Sequence, residues 1–267
     1  LKTYTHAQGL KIDTISRGQT QLENGTACVI AQQPNFFGYM EEMTDISELA
    51  HLNQALLVAY VDPMSLGMFT PPGDYDADIV ASEGQAIGVP LTFGGPYVGI
   101  FACKEQHLRQ MPGRIVGKTV DTQGRKAYVL TLQTREQHIR RERATSNICT
   151  NQGLLALRCT IYMALLGKNG IYDVANICFN NAQYAADKIL KLKDYKLLFN
   201  SRSFIKEFVI KTPVSAKKIQ EDALKDNILL HIFNYNEKDN LLLLAFTEKK
   251  SKEDIDKLVD FLSTYKK

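Results

Sequence analysis

The sequence has no tryptophan, no long apolar run and no marked excess of either charge. Each shortage excludes a class of function. A helix needs roughly 20 consecutive apolar residues to cross a bilayer, and the apolar stretches here, such as residues 56–61, are far shorter. Thirty-two lysines and arginines face 29 aspartates and glutamates, a net charge of only +3. That balance lacks the concentrated basic face of a nucleic-acid-binding protein. The five cysteines, Cys28, Cys103, Cys149, Cys159 and Cys178, are odd in number and scattered, with no C-x-x-C pair and no histidines at zinc-ligand spacing. They read as buried, reduced thiols in a cytoplasmic protein, and no metal site is expected.

What is present is ordinary globular material: 45% hydrophobic and 23% charged residues in a chain of 267, enough for one large or two modest domains. Residues 26–31 and Leu56–Val61 are short apolar runs suited to buried strands, and residues 77–81 and 97–103 are further candidates. Between the first two, Asp45 with Glu48 predicts a capping box opening a helix. Buried strands alternating with helices and glycine- or proline-rich loops predict an α/β fold with a largely parallel sheet. Ligands bind such sheets at the carboxyl ends of the strands, which is where Asp62 and the segment after Ala81 fall. Residues 114–121 and 126–132 flank Thr122-Gln123-Gly124-Arg125 as a hairpin.

Beyond the hairpin the period lengthens. Residues 151–166 and 171–192 predict two long helices broken at Gly167-Lys168-Asn169-Gly170. A βαβα tail follows, with strands at 204–211 and 241–247 and helices at 215–226 and 252–265. The expected division is 1–170, the C-terminal part of a large domain, and 171–267, a small α/β domain. Residue 1 lies in what reads as the middle of an α/β unit, so an N-terminal section of the large domain is expected to be missing.

Two segments are candidates for chemistry. Residues 63–101 hold seven of the 17 glycines and five of the eight prolines, the mark of a loop shaped for a ligand or a subunit contact. Neither a P-loop nor a dinucleotide fingerprint is among them. Gly94-Gly95-Pro96 suits either a phosphate-facing turn or a packing turn. The second segment, 133–151, carries Arg135, Arg140, Arg141 and Arg143, followed by Thr145, Ser146, Asn147, Thr150 and Asn151. Guanidinium forks suit carboxylates and phosphates, while a solvated basic stretch before a helix explains the same residues. His138 has no serine, cysteine or aspartate beside it to make a nucleophile–base arrangement.

Gln33-Pro34-Asn35-Phe36-Phe37-Gly38, the whole 63–101 segment, and Pro112-Gly113-Arg114 through Thr150-Asn151-Gln152 resemble the glycine dehydrogenase (decarboxylating), or P-protein, family. The likeness is to the first subunit of its split form and runs almost without a gap from about residue 25 to 170. The resemblance implies an aminotransferase-like, fold-type-I large domain with a small C-terminal domain. It implies a reaction in which glycine joins pyridoxal phosphate, loses carbon dioxide and passes its aminomethyl group to the lipoyl arm of H protein. The implied partners are the catalytic P-protein subunit, lipoylated H protein and glycine, in a cytoplasmic heterotetramer, with no nucleic acid and no membrane.

Pyridoxal enzymes of this fold hold the cofactor through a lysine on the loop after the strand that follows the pyridine-binding aspartate. In the matching loop, Ser82-Glu83-Gly84-Gln85, Gln85 stands where that lysine is expected, and no lysine occurs between Lys11 and Lys104. The chain is therefore expected to be inactive alone, with the cofactor held covalently by the partner. Asp62 keeps the pyridine-binding place or is a structural relic. By resemblance, Thr92, Gly94 and Gly95 reach the phosphate of the partner's cofactor, and Arg141, Arg143, Thr145 and Ser146 border the same cleft or the mouth used by the lipoyl arm. Subunit packing is the other use of these residues.

Overall fold

The computed structural model describes residues 1–145, 148, 151–200 and 203–266. A short helix, α1 (Lys2–Thr5), and an irregular stretch lead into β1 (Cys28–Gln33), α2 (Met43–Leu52) and β2 (Leu56–Val61). Then come β3 (Ile79–Glu83), β4 (Gly99–Cys103), the hairpin strands β5 (Ile115–Val120) and β6 (Lys126–Thr131), and α3 (Gln137–Arg140). The C-terminal run is α4 (Gly153–Ile189), β7 (Lys196–Leu197), β8 (Glu207–Lys211), α5 (Ala216–Lys225), β9 (His231–Ile232), β10 (Leu241–Ala245) and α6 (Lys252–Ser263).

The first sheet has the order β1-β2-β3-β4. β1, β2 and β3 run parallel, and β4 returns antiparallel along β3. Alternation decides which side is buried: Leu57, Ala59 and Val61 of β2 point inward with Val29 and Ala31 of β1, against Met43 and Ala50 of α2. The helix begins two residues before Asp45, with Glu42 at its N-cap and no side-chain cap, so the expected Asp45–Glu48 box does not form. The capping box the chain does contain joins Ser251 and Asp254 at the start of α6.

The second sheet has the order β7-β8-β10-β9 and is antiparallel throughout. Its apolar face, including Phe208, Ile210 and Leu242, packs with Ala182, Ala185 and Ile189 of α4, Ile219 of α5 and Ile255 and Leu262 of α6. Helix α4 bends at Gly167, whose φ of 61° and ψ of −171° interrupt the helical path at the expected break. Its C-terminal half serves the second sheet, while Cys159 and Ala175 pack against Met64, Ile87, Val89 and Ile205 beside the first. The hairpin stands apart. No side chain of β5 or β6 is fully buried, and Val116, Val120, Tyr128, Val129 and Leu130 lie open to solvent.

One charge network locks the first sheet at the amino end of β3. Asp78, 3% exposed, accepts from the Leu57 amide at 2.8 Å, from Lys104 Nζ at 2.8 Å, and lies 2.8 Å from His51 Nε2. Burial pushes this carboxyl up, but the hydrogen bonds from Lys104, His51 and Leu57 outweigh it and hold the pKa near about 2, against 3.8 for a free side chain. A depressed carboxyl stabilises the fold above its unfolded pKa and loses that contribution as pH falls through the folded one. Asp78→Asn should therefore cost about 3 kcal/mol at neutral pH. Thermal unfolding should show the gap between wild type and variant narrowing by about 2 kcal/mol as pH drops from 3.8 to about 2.

Candidate functional site

Strands β1, β2 and β3 end side by side, and the backbone that follows them builds a cleft of about 200 Å³. Asp62, directly after β2, forms its floor, and the three-residue turn Gly84-Gln85-Ala86 after β3 forms one wall. Ile205, Lys206 and Glu207, at the entrance to β8, close the other side. The loop after β1 brings the two sheets together here: the Met40 amide donates to Ser203 O at 2.7 Å, and Tyr39 pairs with Phe204 as an isolated bridge. Gly38 is pressed against the Glu207 backbone, where a Cβ would sit 2.0 Å from the carbonyl oxygen, and its φ is +86°.

Asp62 is held differently at its two oxygens, one by a backbone hydrogen bond and the other, which is buried and accepts no hydrogen bond of good geometry, by an ion pair. Its Oδ1 accepts from the Met64 amide at 3.1 Å, and its Oδ2 lies 2.6 Å from Lys206 Nζ. Both side chains are largely buried, 15% and 20% exposed. Burial lowers the pKa of the Lys206 amine, but the Asp62 carboxylate opposes this and carries it above the usual lysine range. Beside them burial raises the Glu207 carboxyl, the neighbouring Lys206 charge offsetting only part of the effect.

Gln85 stands across the cleft from Asp62, but its carboxamide Nε2 donates to Val89 O at 2.7 Å within its own loop. The loop is fastened by Glu83, which accepts from the Gln85 amide at 3.2 Å, and by Arg158 of α4, whose Nε donates to Gly88 O at 2.5 Å. The other predicted residues lie elsewhere. Thr92, Phe93, Gly94 and Gly95 all have positive φ, between 41° and 121°, in a turn that lines no part of this cleft. The Gly94 amide donates to Leu91 O at 3.0 Å, whereas among the described residues the Thr92, Phe93 and Gly95 amides meet no acceptor. The Phe93 ring is wholly exposed.

The arginine-rich segment separates by role. Arg135 is buried, its guanidinium donating to the Met111 carbonyl and, at 2.9 Å, to Gly113 O, so it ties down the base of the hairpin. Arg141 and Arg143 are exposed, and Arg143 Nε is 3.9 Å from Glu142. The Thr145 amide donates to Arg135 O at 3.0 Å. None of the three lines the Asp62 cleft; Ser146 lies outside the described residues. Lys206 was the residue the sequence reading missed. With Glu207 it forms a charged pair inside an otherwise apolar strand pattern, Phe204-Ile205-Lys206-Glu207-Phe208, and that interruption was the available signal.

The sequence profile of the glycine cleavage system P-protein matches residues 1–262. The chain belongs to that family. A probable glycine dehydrogenase (decarboxylating) subunit 1 from Desulforamulus reducens is 47% identical over 270 residues, covering 97% of this chain and 60% of that protein. The crystal structure of an inhibitor-bound glycine decarboxylase (P-protein) superposes with a TM-score of 0.90 at 37% identity, over 98% of this chain and 61% of that one. An Escherichia coli cysteine desulfurase, CsdA, matches at a TM-score of 0.63 and 14% identity, a likeness of fold alone, over 91% of this chain and 60% of that one. The chain thus spans about three-fifths of the length of the relatives it matches, and its fold is the α/β, fold-type-I arrangement of pyridoxal-phosphate-dependent enzymes.

A P-protein cleft of this fold would hold pyridoxal phosphate through a free carboxylate for the pyridine nitrogen and a neutral lysine amine for the aldehyde. Here one Asp62 oxygen accepts from the Met64 amide and the other faces the Lys206 ammonium at 2.6 Å, Gln85 carries an amide, and Lys206 is held as a cation. As arranged, the cleft does not fit the cofactor. The Gly38 contact gives a direct check of its architecture. Gly38→Ala places a methyl group into the Glu207 backbone at positive φ, and urea unfolding should show a loss of about 3 kcal/mol.

Proposed function

We propose that this chain is the non-catalytic subunit of a two-subunit glycine decarboxylase. It would pair with the catalytic P-protein subunit, which holds pyridoxal phosphate covalently, decarboxylates glycine and passes the aminomethyl group to the lipoyl arm of H protein. The observation that carries this reading is the cleft at the strand ends: the fold of a pyridoxal enzyme is present, with Gln85 folded into its own loop and, among the described residues, no amine lining the cleft but that of Lys206, which is paired with Asp62.

Two surfaces support a large partner. A two-stranded hairpin is marginal in water without a further layer, and β5–β6 exposes Val116, Val120, Tyr128, Val129 and Leu130. The N-terminal half of α4 exposes Leu154, Leu157, Ile161 and Leu165, which follow one another at helical spacing along a single stripe. Apolar area of this kind on a folded chain marks an interface rather than a solvated face.

The 92–95 turn suits a role in trans. It turns away from its own cleft and leaves three adjacent or nearly adjacent amides unfilled, the arrangement that binds anions through backbone N–H groups. In this reading Thr92, Gly94 and Gly95 reach across to the phosphate of the partner's cofactor, while Phe93 packs on the partner. Arg141, Arg143 and Thr145 border the same shared cleft. The assembly is a cytoplasmic heterotetramer, two copies of each subunit, and the division at residue 170 separates the half that faces the partner from a supporting small domain.

Glycine decarboxylation assayed with this subunit, the catalytic subunit and lipoylated H protein, each omitted in turn, should require both subunits. Gly95→Asp places a carboxylate at the turn and should weaken cofactor retention by the complex at least about tenfold. Full activity from the catalytic subunit alone would reduce this chain to a binding or regulatory module.

A further inference from the structure

We propose that Lys206 is a built-in counter-ion that has taken over Asp62 and closes this chain's cleft to pyridoxal phosphate. The proposal deepens the functional reading above, on which it rests only for taking Asp62 as the carboxylate that would face a pyridine nitrogen.

Its basis is the position of one amine. Lys206 comes from the residue just before β8, next to the buried Ile205, and reaches to Asp62 at the end of β2 in the first sheet. Its Nζ stands 2.6 Å from the one Asp62 oxygen that the backbone leaves open, since Met64 already donates to the other. A carboxylate this buried needs a cation or a strong donor close by. In a chain with Gln85 turned to Val89, the only cation lining the cleft among the described residues is Lys206. A pyridine nitrogen could reach Asp62 only by displacing that amine. Displacement would take from a buried ammonium its 2.6 Å counter-ion and leave it the weaker influence of Glu207.

The same contact explains why a lysine inside a pyridoxal-type fold is not a reactive lysine. An amine attacks an aldehyde through its lone pair, and a protonated amine has none to offer. Asp62 keeps Lys206 protonated despite its burial. Removing the carboxylate takes away the main support of the ammonium and leaves burial opposed only by the weaker influence of Glu207 and Cys178, so the neutral amine gains ground. Lys206 should therefore be silent in the native chain and reactive once Asp62 is gone.

The test is chemical labelling of the full chain with pyridoxal phosphate, trapping by borohydride and peptide mapping. Native protein should be labelled at exposed lysines such as Lys118, with Lys206 unmarked, whereas Asp62→Asn should raise labelling of Lys206 roughly tenfold or more. Heavy label on Lys206 in the native chain, or no change in a folded Asp62→Asn variant, overturns the proposal. If Asp62→Asn does not fold, thermal midpoints decide. Lys206→Met should lower the midpoint on the order of 10 °C, and adding Asp62→Asn to it should restore most of that loss. Additive losses overturn the counter-ion proposal and leave the functional reading standing; glycine decarboxylation by the isolated chain would overturn that reading without touching the ion pair.

Discussion

A buried ion pair between the end of one sheet and the entrance strand of the other organises the centre of this molecule. Asp62 and Lys206 meet at 2.6 Å, and around them the loop after β1, the turn after β3 and the start of β8 are drawn together. Gly38 must be a glycine because that closure brings two backbones into contact, and Tyr39 and Met40 complete it through their links to Phe204 and Ser203. Two local features set the character of this cleft: the Asp62–Lys206 charge pair and the Gln85 amide turned into its own loop. The fold supplies the position, and the pair at its floor fills it.

The division of labour across the chain follows from that centre. The carboxyl ends of parallel strands point their backbone and side chains at one place, and here that place is occupied from within. The 92–95 turn, proposed to meet a cofactor's phosphate in trans, lies outside this cleft, and the hairpin and the N-terminal half of α4 keep apolar side chains exposed. An inner cleft occupied by an ion pair and an outer turn with unfilled amides are what the proposed role, completing a neighbour's site, calls for. The second sheet, with its own aromatic and aliphatic core, holds Lys206 in place from behind.

Much of this was legible in the sequence. Strand β2 fell on the apolar run 56–61, the hairpin on the two runs around Gly124, and the α4 bend on Gly167, because each is set by local composition and turn chemistry. Gln85, expected where a pyridoxal enzyme carries its lysine, does lie on the cleft at the strand ends. Other features depend on contacts between distant segments. The antiparallel return of β4 is a matter of sheet pairing, and the two-residue strands β7 and β9 are too short to show a period. Lys206 becomes meaningful only when β8 is laid across the end of β2. The Asp45–Glu48 expectation failed because α2 starts earlier, with its first turn anchored by Met43 in the core rather than by a side-chain cap.

The central claim is that one chain supplies the covalent cofactor site and this chain completes it. The ratio of pyridoxal phosphate to subunits, measured by alkaline release from the purified complex of both chains, tests that claim most directly. The account predicts one cofactor for each pair of unlike subunits, and two cofactors per pair would contradict it.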